Sequence, residues 1–263
     1  MKTNHIITGD SAEVLKGFDA DCIDLTVTSP PYDNLRTYKG FTFDFEAIAR
    51  ELYRVTKPGG VVVWVVGDAT VNGSETGTSF TQALFFKSLG FNLHDTMIYE
   101  KNGSALPDNV RYFQCFEYMF VFSKGRPKSI NLIEDRKNRF PIRWGKGRTV
   151  REKDGSMTER GEYHGKEIGR RFNIWRMNGG YGYSASDDYA YKHPAIFPEE
   201  LARDHILTWS KPNDIVLDCF AGSGTTCKMA KENGRQYIGI EISSEYVGLA
   251  EKRILATSPS LFA

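Results

Sequence analysis

The sequence has four cysteines among 263 residues, and Cys22, Cys115, Cys219 and Cys227 form neither a CxxC pair nor a cluster with histidine. That spacing argues against a disulfide framework and against zinc, so no metal is expected. Long apolar runs are also missing. Val61 to Val66 is a six-residue run, far short of the ~20 residues that cross a bilayer, so no membrane partner is expected. The opening MKTNHIITGD lacks the apolar stretch of a secretory leader, and a cytoplasmic location is the expectation. Net charge is almost absent, at +1. Its distribution is uneven: Lys124 to Lys192 holds 17 Lys and Arg against 9 Asp and Glu, a local +8, and the remainder carries −7. Such a segment is a solvated surface unless its other contents argue for more.

What is present is an alternation of strand and helix signals. The hydrophobic pattern predicts strands at His5–Thr8, Cys22–Thr28, Val61–Gly67, Leu93–Glu100 and Phe116–Phe122. Phe45, Ile48, Ala49 and Leu52 share one helical face, and the KPGG of Lys57–Gly60 is expected to stop that helix and turn into the next strand. Ser79 to Leu89 reads as a helix closed by Gly90. Toward the C-terminus a helix is expected from Pro198 to about Ser210, strands at Ile215–Asp218 and Gln236–Ile240, and a last helix with Tyr246, Leu249, Ala250 and Ile254 on one face. Seven strands interleaved with helices predict a doubly wound, Rossmann-like α/β sheet. Residues 124–192 break the pattern. They hold 10 of the 25 glycines, few aliphatics, and aromatics that include Trp144, Tyr163, Trp175, Tyr181 and Tyr189. This stretch is too long for an ordinary connection, and its aromatics argue against disorder. The expected organisation is therefore one domain in two halves, 1–123 and 193–263, with 124–192 inserted.

Chemistry first shows in IVLDCFAGSGTT, Ile215–Thr226, a strand followed by a glycine turn and a helix. Gly222 and Gly224 let the backbone turn tightly against a ligand. Asp218, at the strand's carboxyl end, can receive an ammonium group. Glu241, ending the next strand, can accept hydrogen bonds from both hydroxyls of a ribose. No Gly-Lys-Ser/Thr comes after it, so the turn is not a P-loop. A third glycine is also lacking, and with two carboxylates this suits a cationic nucleoside such as S-adenosylmethionine better than an anionic dinucleotide.

The second motif is TSPPY, Thr28–Tyr32, where a strand exits through two prolines. Together, TSPPY and DCFAGSGTT closely resemble the DNA amino-methyltransferases, which methylate an exocyclic amine of adenine or cytosine. ELYRVTKPGGVVVWVVGD (51–68), FEYMFVFSKG (116–125) and KHPAIFPEEL (192–201) look like further motifs of that family, so the resemblance covers most of the chain. The catalytic motif precedes the cofactor loop, with a basic insert between them. This circularly permuted order, starting at the family's third strand, resembles the beta group. Enzymes with an N-P-P-Y motif that act on ribosomal RNA or protein usually place the cofactor loop first.

The resemblance implies S-adenosylmethionine as cofactor, double-stranded DNA as partner, and extrusion of the target base from the duplex. It implies that Ser29 and the Pro30 carbonyl hold the amine, that Pro31 stiffens the turn, and that Tyr32 stacks on the base. It places Asp10 at the adenine ring, Asp218 at the methionine ammonium and Glu241 at the ribose, with Thr28, Phe220, Gly222, Ser223, Gly224, Thr225 and Thr226 along the cofactor. For His193 and Pro194 a structural turn is an equal alternative. Within the insert, now read as a target-recognition region, Arg143, Lys146, Arg148, Arg170, Arg171 and Arg176 are candidates for DNA contact, and Arg36 outside it. Serine at the first motif position is commoner in cytosine enzymes, so cytosine-N4 is expected, with adenine-N6 as the alternative. An RNA methyltransferase and a non-catalytic DNA-binding module are more distant readings. Carbon-5 methylation needs a thiolate, carried by a Pro-Cys dipeptide in the enzymes of that class, and the sequence has no Pro-Cys. A cognate restriction endonuclease acting separately is a partner such enzymes can have, and nothing in the sequence identifies one.

Overall fold

The computed structural model describes residues 1–31, 44–103, 109–138, 143–144, 148–160, 163–164 and 166–258. They form two compact units, Met1–Asn131 with Asn173–Ala263, and Leu132–Phe172. The second lies inside the segment singled out by its charge and is narrower than it. Residues 124–131 and 173–192 belong to the first unit.

The first unit is built on one mixed sheet of β1 (His5–Thr8), β2 (Ile23–Thr28), β3 (Thr56–Val66), β4 (Asn92–Lys101), β5 (Phe116–Ser123), β6 (Ile174–Met177), β7 (Ile215–Asp218) and β8 (Gln236–Glu241). Their spatial order is β1-β8-β7-β2-β3-β5-β4-β6. The five strands from β1 to β3 run parallel, β5 is antiparallel to both β3 and β4, and β6 is parallel to β4. Against the expected seven strands, the sheet has eight among the described residues. The added strand, β6, is short and lies in the basic segment, where Arg176 masks its apolar character. Its alternate residues Trp175 and Met177 are nevertheless buried.

Helices α1 (Ser11–Lys16), α2 (Phe45–Val55) and α3 (Thr78–Ser88) pack on one face of the sheet, around a core that includes Leu15, Leu52, Trp64, Phe86 and Phe122. The predicted stripe of α2 buries Ile48, Ala49 and Leu52, and Phe45 meets Phe85 and Phe86 edge-on. The Trp64 indole donates to Gln82 Oε1 at 2.8 Å, which satisfies its one polar atom inside the core. The KPGG stretch is not a free turn. It belongs to β3 and opens as a register irregularity against β2. Helix α4 (Glu199–Trp209) starts one residue after Pro198, which is its N-cap. Helices α5 (Thr225–Glu232) and α6 (Ser244–Leu255) complete the unit. Among the described residues no helix is long and apolar enough to cross a membrane.

The second unit is an antiparallel ribbon. Glu134–Lys137 pairs with Ile168–Arg170, Arg143–Trp144 with Tyr163–His164, and Arg148–Arg151 with Met157–Arg160, each pair nested within the last. At the tip Asp154 accepts from the Ser156 amide and hydroxyl, and the Glu152 N–H donates to the Ser156 carbonyl, which closes the turn. Arg171 forms an ion pair with Asp135, and the Arg136 guanidinium stacks on Phe172 at 4.3 Å.

Candidate active site

Strands β2, β7 and β8 end side by side, and a cavity of about 610 Å³ opens beyond their carboxyl ends. This is the crevice in which open α/β sheets bind ligands. Each strand contributes through the residues at its carboxyl end. After β2 the chain leaves as Ser29-Pro30-Pro31. Ser29 and Pro31 line the cavity, while Pro30 is buried behind them. After β7 comes the turn Cys219–Gly224, and β8 ends in Glu241.

Two glycines in that turn have no substitute. Gly222 has φ +50°, and a Cβ there would meet the His193 ring at 2.9 Å. Gly224 has φ +79°, and its Cβ would lie 2.7 Å from that of Ala250. Both positions combine a left-handed backbone with a close neighbour, so only glycine fits without displacement. The His193 ring is held by its own backbone neighbourhood, with Nδ1 at 2.7 Å from the Ala195 carbonyl, and it meets Tyr246 edge-on at 4.4 Å.

The carboxylates differ in their setting. Glu241 lines the cavity and accepts the Gly222 N–H on one oxygen and the Ser243 N–H on the other, both at 2.9 Å. Burial raises its pKa above the ordinary carboxylate value. Asp218 is 1% exposed and lies behind the wall. Its Oδ1 accepts the Thr28 hydroxyl at 2.6 Å and the Phe220 N–H at 3.1 Å. Burial pushes its pKa up to about 6, against the opposing pull of those two bonds and of Thr226. Thr226 also donates to the Val27 carbonyl at 3.1 Å, which ties α5 to β2.

Of the residues expected at the cofactor, Asp10, His193, Pro194, Phe220, Gly222, Ser223, Thr225 and Glu241 line the cavity. Thr28, Asp218, Gly224 and Thr226 support it from behind. Asp10 also caps α1, accepting the Glu13 N–H. The expected catalytic Tyr32 lies outside the described residues, as do Arg36 and Lys146. Arg143, Arg148, Arg170 and Arg171 fall on or beside the ribbon strands of the second unit. Arg176 is on β6 in the first unit, paired with Glu100 at 2.5 Å.

Two sets of residues were not foreseen from the sequence. On the side of the cavity formed by β4 and β5, across the sheet from Glu241, the wall holds Tyr99, Lys101, Asn102 and Glu117. Lys101 pairs with Glu117 at 2.8 Å, and the Gly179 N–H donates to Asn102 Oδ1 at 3.1 Å. The second set is a charge cluster around Arg253, and a signal for it existed. Arg253 falls three residues after Ala250, on the apolar stripe of α6, where a charge is out of place.

A family model described as DNA methylase, for N6 and N4 methyltransferases, matches residues 23–252. The orphan methyltransferase M.BamHII of Bacillus amyloliquefaciens is 60% identical over 241 residues, covering 89% of this chain and 89% of that protein. Among solved structures, the cytosine-N4-specific PvuII DNA methyltransferase aligns with a TM-score of 0.69 at 21% identity, over 99% of this chain and 89% of its own. The M1.HpyAVI–SAM complex aligns with a TM-score of 0.61 at 24% identity, over 95% of this chain and 98% of its own. These two likenesses speak to the fold, whereas the family match and the 60% relative speak to descent. The chain belongs to the N6/N4 DNA methylases, enzymes that transfer a methyl group from S-adenosylmethionine to DNA.

Proposed function

We propose that this enzyme methylates the exocyclic N4 amine of a cytosine turned out of duplex DNA. The observation that carries this reading is Ser29, which lines one cavity together with Gly222 and Glu241 on its cofactor side and Lys101 and Glu117 on the other. One space thus has room for a nucleoside cofactor and for a base beyond it.

The residues present fit S-adenosylmethionine. Around the glycine turn the described residues of the cavity lining offer carboxylates, hydroxyls and backbone amides, and no lysine or arginine. That set suits a cationic nucleoside and disfavours a pyrophosphate. Glu241 is placed to accept the ribose hydroxyls, Asp10 to meet the adenine, and Asp218 to set a negative potential under the ammonium. Bound there, S-adenosylmethionine supplies an electrophilic methyl group.

The protein's task is to make a poor nucleophile attack. The lone pair of an exocyclic amine is delocalised into its ring. Acceptors at the Ser29 hydroxyl and the Pro30 carbonyl take hydrogen bonds from the NH₂ group and favour a pyramidal nitrogen. Two prolines hold that carbonyl rigid before substrate arrives, so little reorganisation accompanies the reaction. Tyr32 is assigned the stacking role, worth about 1–3 kcal/mol in such sites. For DNA recognition we assign the ribbon of the second unit, because a two-stranded ribbon fits the major groove and its arginines suit phosphates.

Purified enzyme, methyl-labelled S-adenosylmethionine and mixed-sequence duplex DNA, followed by nucleoside chromatography, test this reading. Label in N4-methylcytosine is expected. Label in N6-methyladenine would keep the mechanism and reverse the choice of base. Label only with structured RNA would overturn the substrate.

Gly222→Ala is a sharper test of the cofactor end. The left-handed backbone and the His193 contact together cost on the order of 1–3 kcal/mol. Calorimetry is expected to show S-adenosylmethionine binding weakened about tenfold or more. Unchanged binding would mean that the turn does not approach the cofactor.

A further inference from the structure

Arg253 is buried without exposed side-chain surface, yet it lines no part of the cavity. Its guanidinium reaches the glycine turn from behind. Nη1 donates to the Ser223 carbonyl at 2.6 Å, to Ser223 Oγ at 2.9 Å and to Thr225 Oγ1 at 3.3 Å. The other edge of the fork holds Asp187 through Nε at 3.0 Å and Glu199 through Nη2 at 2.8 Å. Lys228, from α5, reaches the same two carboxylates at 2.9 and 2.6 Å and also Ser186 Oγ at 2.7 Å. Two cations and two anions thus close a neutral cluster.

The cluster's position matters more than its charge balance. Ser223 and Thr225 belong to the glycine-turn wall of the cavity, and Ser184, Tyr191 and His193 belong to the wall facing it. Asp187 caps the short 3-10 helix Asp188–Lys192 that carries Tyr191 and leads into His193. Glu199 opens α4 just after that wall and accepts the Ser186 N–H at 3.1 Å. Arg253 therefore bonds the turn directly and bonds, through two carboxylates, the segment that places His193 over Gly222. A single planar fork meets six acceptor oxygens on the glycine turn, the first residue of α5, the cap of the 3-10 helix and the start of α4, which a lysine ammonium cannot do from one position.

We propose that Arg253 is a positioning residue for S-adenosylmethionine, fixing the backbone of the Gly222–Gly224 turn and latching it to the His193 wall opposite. This rests on the cavity holding the cofactor at that turn. A residue that merely stapled the fold would affect melting and leave the affinity of the folded protein alone.

Arg253→Lys separates the two, because it keeps the charge among Asp187, Glu199 and Lys228 and loses the fork. Cofactor binding is measured by calorimetry well below the melting temperature, on wild type first. Wild type that binds no S-adenosylmethionine would sink the cofactor assignment itself, and this inference with it. With wild-type binding in hand, Arg253→Lys is expected to raise Kd about tenfold, while kcat at saturating cofactor falls less than the affinity does. An unchanged Kd with a lowered Tm would overturn the positioning role. Should that variant not fold, Glu199→Gln serves, because Glu199 lines no part of the cavity and its loss loosens the fork. A three- to fivefold weaker Kd is expected there, and an unchanged Kd overturns the proposal equally.

Discussion

Ser29→Ala is expected to lower kcat by about 10²–10³-fold, the size seen when one preorganised partner is removed from a developing charge. Ser29 sits at the carboxyl end of β2, lines the cavity, and is the side chain there aimed by the rigid Pro30-Pro31 exit. Its removal takes one of two acceptors from the amine and leaves the glycine turn, Glu241 and Arg253 untouched. Cofactor affinity is therefore expected to stay within twofold of wild type. The melting temperature should hold as well, because a half-buried serine without a deep packing role costs little to truncate. Single-turnover methylation alongside calorimetry separates these quantities. A variant that retains most of its kcat would transfer the work to the Pro30 carbonyl alone. A variant that loses cofactor binding instead would place Ser29 at the cofactor rather than at the amine.

The second large effect is a pH dependence with opposite signs in the free and cofactor-bound protein. Burial raises the Asp218 carboxyl from its ordinary value near 3.8 to about 6. A raised acid favours the folded state most where it is protonated in both states. Its contribution is fully present below about pH 3.8 and is lost as pH rises through about 6. The total is on the order of 3 kcal/mol, of which roughly half is regained on going from pH 7.5 to 5. Glu241 is raised by burial as well and acts in the same direction. Asp187 acts in the other. Burial pushes it up, but the Lys228 and Arg253 bonds outweigh this and hold it below its ordinary value, so its contribution fails only at more acid pH. Between pH 7.5 and 5 the free protein is expected to gain about 3–5 °C in Tm.

Cofactor binding should run the other way, because an ammonium favours the ionised Asp218. With a pKa of about 6, roughly a tenth of the carboxyl is ionised at pH 5, so Kd is expected to weaken about tenfold. Asp218→Asn should flatten both profiles. A Kd independent of pH, with the rise in Tm intact, would make Asp218 a purely structural acid whose charge the cofactor does not sense.

The contrast between Asp218 and Glu241 shows how far local sequence carries. Both were legible as carboxylates ending neighbouring strands, because the strand-glycine-helix order announces them. Their exposure was not legible. It depends on Thr28 and Thr226, one of them 190 positions away, meeting the Asp218 oxygen inside the sheet. In the same way β6 was hidden. Four residues between polar flanks carry too little periodicity to be seen, and they become a strand because β4 offers an open edge and Trp175 a place beside His205.

The alternating α/β layout, the glycine turn after β7 and the proline exit after β2 were all legible in the sequence, whereas the basic segment 124–192 is wider than the compact unit Leu132–Phe172 that lies inside it. The first three are written in neighbouring residues, as hydrophobic period and turn chemistry. Only the tertiary structure decided that Asp218 stands behind the cavity and Glu241 within it, that Lys101 and Glu117 share that cavity with Ser29, and that Arg253 braces the glycine turn through a buried cluster. The physical reason is distance along the chain. Burial, ion pairing and shared cavities join residues that no local pattern relates, and their energies exist only once the sheet has brought those residues together.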